Sequence, residues 1–191
     1  VGTDQVLVTV NPTPTVDAVA DEAICVNTAT TAVNFTSSFN VSGTTYSWTN
    51  NNASIGLAAS GTGNISSFTG LNTGTTDALA TITVTPSANN CDGTPITFTI
   101  TVNPTPIIAS KTDAICSAGS FTVAPANGSG DIVPTGTTYS WSAPTVAGIT
   151  GTASGANAAS ISGTLINTTN SPITVNYSVT PSATNSTSIC T

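Results

Sequence analysis

The chain contains no histidine, no methionine and no arginine, and Lys111 is its only basic residue. Against it stand seven aspartates and Glu22, scattered without runs, for a net charge of −7. A surface with one cation cannot grip phosphates, which excludes nucleic acid as a partner and disfavours an anionic membrane surface. Without histidine the usual nucleophile–base pairs cannot be assembled, so no enzyme activity is expected. Strong helix formers are scarce, and Thr, Ser, Asn and Gly fill the polar positions, which favours strands and turns over helices. No apolar run approaches the ~20 residues of a membrane span, so no membrane insertion is expected. The first residues do not read as a signal peptide, and an export signal is expected to be removed or to lie outside these residues.

What is present is repetition. Residues 93–106 read GTPITFTITVNPTP, in which Ile96, Phe98, Ile100 and Val102 alternate with threonines. That period of two marks a half-buried strand, and the following Asn103-Pro104-Thr105-Pro106 is a stiff, extended tether. Residues 2–14 (GTDQVLVTVNPTP) repeat the arrangement with Val6, Val8 and Val10. Further on, Ala23-Ile24-Cys25 returns as Ala114-Ile115-Cys116, and GTTYSW at 43–48 returns at 136–141. ISSFTGLNT at 65–73 returns shortened at 161–168, and VTPSA at 84–88 returns at 179–183. The offset drifts from 91 to 95 residues, a period that suits a whole sandwich domain rather than a solenoid unit. The expected architecture is all-β: tandem Ig-like, PKD-like β-sandwich domains. Residues 1–14 are read as the closing strand and linker of a preceding or neighbouring-subunit repeat, 15–106 as a complete repeat, and 107–191 as a second repeat lacking its closing strand. In the first repeat, strands are expected near 15–19, 31–36, 44–49, 55–58, 64–69, 78–85 and 95–102.

Tyr46 and Trp48 share a strand face, as do Tyr139 and Trp141. They are read as core anchors rather than as a platform for sugar rings, because Ig-like sandwiches bury a large ring on the third strand. Phe35, Phe39, Phe68 and Phe98 in the first repeat, with Phe121 and Tyr177 in the second, are expected to complete the cores. The cysteines, Cys25, Cys91, Cys116 and Cys190, occupy matching places and read as disulfides of an oxidising compartment. Repetition favours Cys25–Cys91 and Cys116–Cys190 among three possible connectivities. Zinc is the rival, but two thiolates per repeat without histidine cannot complete its tetrahedron. Asp21-Glu22, Asp92-Gly93 and Gly128–Asp131 offer too few carboxylates in one place for a glycosidase pair or a calcium loop, and turn chemistry is the expected role. Hence no catalytic residue, metal or cofactor is expected. Asn-x-Ser/Thr sequons (Asn34, Asn40, Asn52, Asn64) arise readily by chance in so Thr- and Ser-rich a chain.

Taken together, the NPTP tether, the cysteine before the second strand, GTTYSW, VTPSA and the closing TPITFTITV resemble the PKD-like, Ig-type repeats of giant Bacteroidetes cell-surface adhesins and gliding-motility proteins exported by type 9 secretion. The resemblance implies a disulfide-bearing extracellular repeat at the bacterial cell surface, acting as a spacer or stalk of an adhesin or filament. The alternatives are a carbohydrate- or surface-binding module, with the 127–134 insertion as its place and a surface glycan as partner, and an accessory domain of a secreted hydrolase. Adjacent repeats of the same chain are the expected partners. An incomplete second repeat also opens the prospect of a homo-oligomeric fibre by strand donation.

Overall fold

A computed structural model describes residues 2–184 and 189–191. Its contacts divide the chain into two compact units, Val1–Leu71 with Leu79–Thr101, and Asn72–Ala78 with Val102–Thr191. Among the described residues there is no α-helix, only strands and one 3-10 turn at Ala53–Ile55.

The first repeat contributes β1 (Glu22–Cys25), β2 (Thr45–Asn50), β3 (Ser60–Thr62), β4 (Ala78–Ala88), β5 (Cys91–Asp92) and β6 (Ile96–Asn103) to one sheet of order β1-β6-β4-β2-β3, with β5 folded onto β4. β-branched and alternating sequence produces the two-residue burial rhythm: Ala80, Ile82 and Val84 of β4 are completely buried. Phe98, Ile100 and Val102 of β6 are buried beside them. The opposite layer is held by isolated bridges, Ala29 to Thr69 and Val33 to Ile65, rather than by long ladders. Phe35, Val41, Ile55, Leu57 and Ile65 complete the buried set.

Residues 2–14 join no ladder among the described residues; Val6, Leu7, Val8 and Val10 are between 74% and 93% exposed. Some expectations are corrected. Residues 15–19 form no strand either. Asp17 turns the chain by accepting bonds from Ser38 N and Oγ (2.8 Å each) and from Thr36 Oγ1 (2.9 Å). That clamp lifts Phe39 out of the core to 58% exposure. Residues 55–58 are the end of the 3-10 turn and a loop, stitched by the Asn50 side-chain amide to the carbonyls of Leu57 (3.0 Å) and Ala58 (3.3 Å).

The second repeat contributes β7 (Gly119–Val123), β8 (Thr137–Trp141), β9 (Ile149–Thr150), β10 (Gly155–Ala158), β11 (Ile161–Asn167), β12 (Val179–Thr184) and β13 (Ile189–Cys190). They make two sheets, β10-β8-β12-β13 and β7-β11-β9. Tyr139, Trp141 and Ile161 form the buried centre, with Phe121 and Tyr177 packed against it, their rings tilted at 5.5 Å.

In both repeats the tryptophan lies over a glycine of the neighbouring strand: Trp48 opposite Gly61, Trp141 opposite Gly155. A methyl group at either glycine would fall on the indole ring. Gly61→Ala and Gly155→Ala should therefore each cost about 1–3 kcal/mol by overpacking, read as a lower denaturant midpoint with unchanged slope.

Charge acts at two points. Hydrogen bonds from Ser38 and Thr36 hold the Asp17 carboxyl below its usual 3.8. The Lys111 ammonium, 2.8 Å away, and the Ala109 amide do the same for Asp131. Both are ionised in the fold at neutral pH, so their contribution is present above about pH 4 and is lost as pH falls through their lowered values. Burial, with Asp131 nearby, raises the Tyr139 phenol above 10.0, and burial raises Tyr177. An unfolded tyrosine would ionise first, so their contribution is lost as pH rises past about 10. The melting temperature should be flat from about pH 6 to 9 and fall on both sides, the alkaline fall belonging to the second repeat.

Candidate functional site

The aromatic pairs do not present a platform. Trp48 and Trp141 are 8% and 9% exposed and Tyr139 is 1% exposed. Tyr46 is half-buried and packs its ring on Phe35 at 5.5 Å. The Trp141 indole N–H donates to Ala153 O at 3.0 Å, while the buried Trp48 N–H and Tyr139 hydroxyl have no hydrogen-bond partner among the described residues. Their rings supply packing, and truncating such a buried ring typically costs about 3–5 kcal/mol.

The acidic residues singled out in the sequence hold backbone in place. Asp21 accepts from Thr99 N at 2.6 Å and Glu22 from Thr31 N at 2.8 Å, so neighbouring carboxylates tie down two different segments. Asp92 lies in the β4–β5 hairpin. Asp131, only 5% exposed, anchors the 127–134 insertion through Ala109 and Lys111. Among the described residues no three His, Cys, Asp or Glu side chains gather where a metal ion could be held.

A groove of about 1070 Å³ lies in the second repeat, open along the layer where β7 and β11 face the segment leading into β12. Phe121, Ile161, Ile173, Val175, Tyr177 and Val179 line it. Its origin is clear when the repeats are compared. Ala80, Ile82 and Val84 are completely buried in the first repeat, where β6 lies beside β4 in the same sheet. Their counterparts Val175, Tyr177 and Val179 are only half-buried, and residues 172–178 form no strand although Ile173, Val175 and Tyr177 alternate with Thr174, Asn176 and Ser178. β12 pairs with β8 along its length but meets β13 only at Ala183 and Thr184.

The tether before the first repeat is anchored. Pro14 is fully buried, and its carbonyl lies where a side chain at Gly93 would go. The Asn11 side-chain amide donates to Asn89 O at 3.1 Å. The chain therefore enters this repeat at the end where β4 finishes. β6 starts at that same end, just beyond the Gly93 N–H bond to Pro86 O, and runs back along β4. Entry and exit lie at opposite ends of the sheet.

The cysteines do not pair as the repetition suggests. Cys25 and Cys190 are disulfide-bonded, whereas Cys91 and Cys116 are free thiols, Cys116 exposed. Within each repeat the two sulfurs stand at opposite ends. Cys91 faces Ala88 at the finish of β4, whereas Cys25 leads into the Asn27–Gly70 bond beside Leu71 and Ile55, next to where β4 begins. Cys190 faces Ala183 at the finish of β12, while Cys116 precedes Ser117, which is bonded to Asn167 before β12 begins. The eleven residues of β4, and even the six of β12, at ~3.3 Å each far exceed the ~7 Å Cα separation that a disulfide bridges. Thiol titration of the native chain should find two reactive groups, Cys116 faster than Cys91, and non-reducing peptide mapping should recover no Cys25–Cys91 peptide.

A search of curated proteins found no match. The family model for the PKD-like domain matches residues 22–106 and again 113–190, the two stretches built as sandwiches here. With most of the chain covered by two successive matches to one family model, this protein belongs to the PKD-like domain family and carries two such domains in tandem.

Proposed function

We propose that the chain is a structural spacer within an extracellular adhesin or surface filament, with no catalytic role of its own. PKD-like domains and disulfide-bonded cysteines belong to secreted, extracellular proteins. The observation that carries the spacer reading is the routing of the first repeat. The chain enters at one end through the anchored Asn11–Pro14 tether and leaves at the other along β6, so tension on the backbone runs along the sheet. Within this reading, the resemblance of these motifs to repeats of giant Bacteroidetes surface proteins supports a location at the bacterial cell surface after type 9 export. The glycan-binding alternative is less well supported, since the tryptophan rings are buried and the 127–134 insertion is tied down through Asp131.

Pulling on the chain ends under reducing conditions should give separate unfolding events for the repeats. Residues 22–106, at roughly 3.5 Å each when extended, should release close to ~30 nm. A glycan array should remain blank. Reproducible glycan binding, abolished by replacing residues 127–134 while the fold persists, would sink the spacer reading.

A further inference from the structure

We propose that the outward face of the first repeat's sheet is a surface for ordered water, and that the ligand it takes is the lattice of an ice crystal. The inference adds a ligand to the chain; it does not rest on the spacer reading and stands or falls separately from it.

Three observations meet here. First, the outward positions of β4 and β6 between their buried residues are all hydroxyls, from Thr81 to Ser87 and from Thr97 to Thr101. β2 continues the face with Thr45, Ser47 and Thr49, and β3 with Ser60 and Thr62. The pattern breaks only at its rim, at Leu79 where β4 begins and at Asp92, which stands opposite Ser87 in the β4–β5 hairpin. Asparagine, which supplies so many of the loop bonds elsewhere, does not occur on it.

Second, the hydroxyls stand in rows. Ser47 lies opposite Thr85 on one side and Thr62 on the other, and Thr49 lies likewise between Thr83 and Ser60. Successive outward residues are ~6.7 Å apart along a strand, and opposed residues about 4.5–5.5 Å apart across a pair. The oxygen repeats on the faces of hexagonal ice lie close to both spacings. Twist of about 20–25° per strand confines the match to a small patch centred on β2. Threonine is stiff at χ1, and the Thr45 and Ser47 hydroxyls are held further by donating to the carbonyls of Ser87 (3.2 Å) and Thr85 (3.5 Å). Rows fixed in advance lose little side-chain entropy when ordered water docks on them. In the second repeat Thr138 and Ser140 of β8 stand opposite Ser182 and Thr180 of β12 in the same way.

Third, charge and shape select the occupant. A net charge of −7 with one lysine repels phosphates and anionic surfaces. The face offers no ring on which a sugar could stack, since Trp48 is buried on the other side of β2. What fits is a neutral partner whose hydrogen-bonding groups repeat in two directions. Water in an ice surface both donates and accepts, as the hydroxyls do, while the threonine methyls fill the gaps without competing for those bonds.

The test uses the full chain, fluorescently labelled, in dilute solution around a slowly growing ice seed. Wild type should be taken up into the ice, whereas solutes without lattice contacts are pushed ahead of the front. Thr49→Lys/Thr85→Lys puts two cations on solvent-facing positions, so circular dichroism and melting temperature should be kept while uptake is lost. Ser66→Lys/Thr69→Lys makes the same charge change at exposed positions in the opposite layer and should be taken up like wild type. If the first variant melts lower, Ser47→Lys alone, exposed at the centre of a row, takes its place and should also lose uptake. The proposal is overturned if wild type is rejected by the ice, or if the folded face variant enters it as wild type does. It is equally overturned if the opposite-layer variant loses uptake too, since net charge and not the face would then govern. None of these outcomes touches the spacer reading, which the pulling experiment and glycan array decide.

Discussion

The closing strand governs how well each sandwich is sealed. β6 lies between β1 and β4, and its buried Phe98, Ile100 and Val102 extend the buried face that β4 offers through Ala80, Ile82 and Val84. Strand pairing and side-chain burial are inseparable in this position. A register slip by one residue would turn threonines inward and apolar residues to solvent. Domains of this size have thin cores, so each inward-facing strand contributes a large share of the buried surface. In the second repeat the alternating sequence from Ile173 to Val179 is only half-buried, and the strand begins no earlier than Val179.

Around that constraint, the scarcity of charge has been met with short polar side chains. Where other proteins use ion pairs, this one uses Asx and hydroxyl bonds. Asn50 stitches Leu57 and Ala58, Asn72 caps the loop at Gly74 and Thr76, and Asn167 gathers Thr169 and Ser171. Such local side-chain-to-backbone bonds compete with ladders, which is why several segments expected as strands are loops instead. The Lys111–Asp131 pair, with the Ala109 amide on the same carboxylate, is the one place where a cation fixes a loop among the described residues.

Much of the architecture was legible because repetition in sequence becomes repetition in space. The period-two runs in β4 and β6, the GTTYSW strand and the turn-rich text between them specify an all-β tandem. Loop clamps were not legible. That Asp17 would fold residues 15–19 away from a strand and expel Phe39 depends on Ser38 and Thr36, about twenty residues on. The need for Gly61 and Gly155 under the tryptophans likewise appears only once strands are paired. Cysteine pairing failed for an instructive reason. Matching positions in two repeats establish that Cys25 resembles Cys116 and Cys91 resembles Cys190, but not that the two within a repeat are close; strand direction decides that, and it places them at opposite ends.

The same logic of strand direction ties architecture to mechanics. In a sandwich whose chain enters and leaves at opposite ends, a pull is resisted by many ladder hydrogen bonds loaded together along the strands. Entry and exit at one end would instead load them one after another. β6 is the last strand of the first repeat and the one continuous with the tether, so force arriving through Pro104 and Pro106 reaches β4 through it first. The buried prolines serve this arrangement in two ways. They restrict the tether's backbone and, lacking an N–H, leave no donor unsatisfied where Pro14, Pro104 and Pro106 are packed away from water. A glycine-rich linker would give slack before load reached the sheet. The NPTP tether, short and docked, passes it on directly.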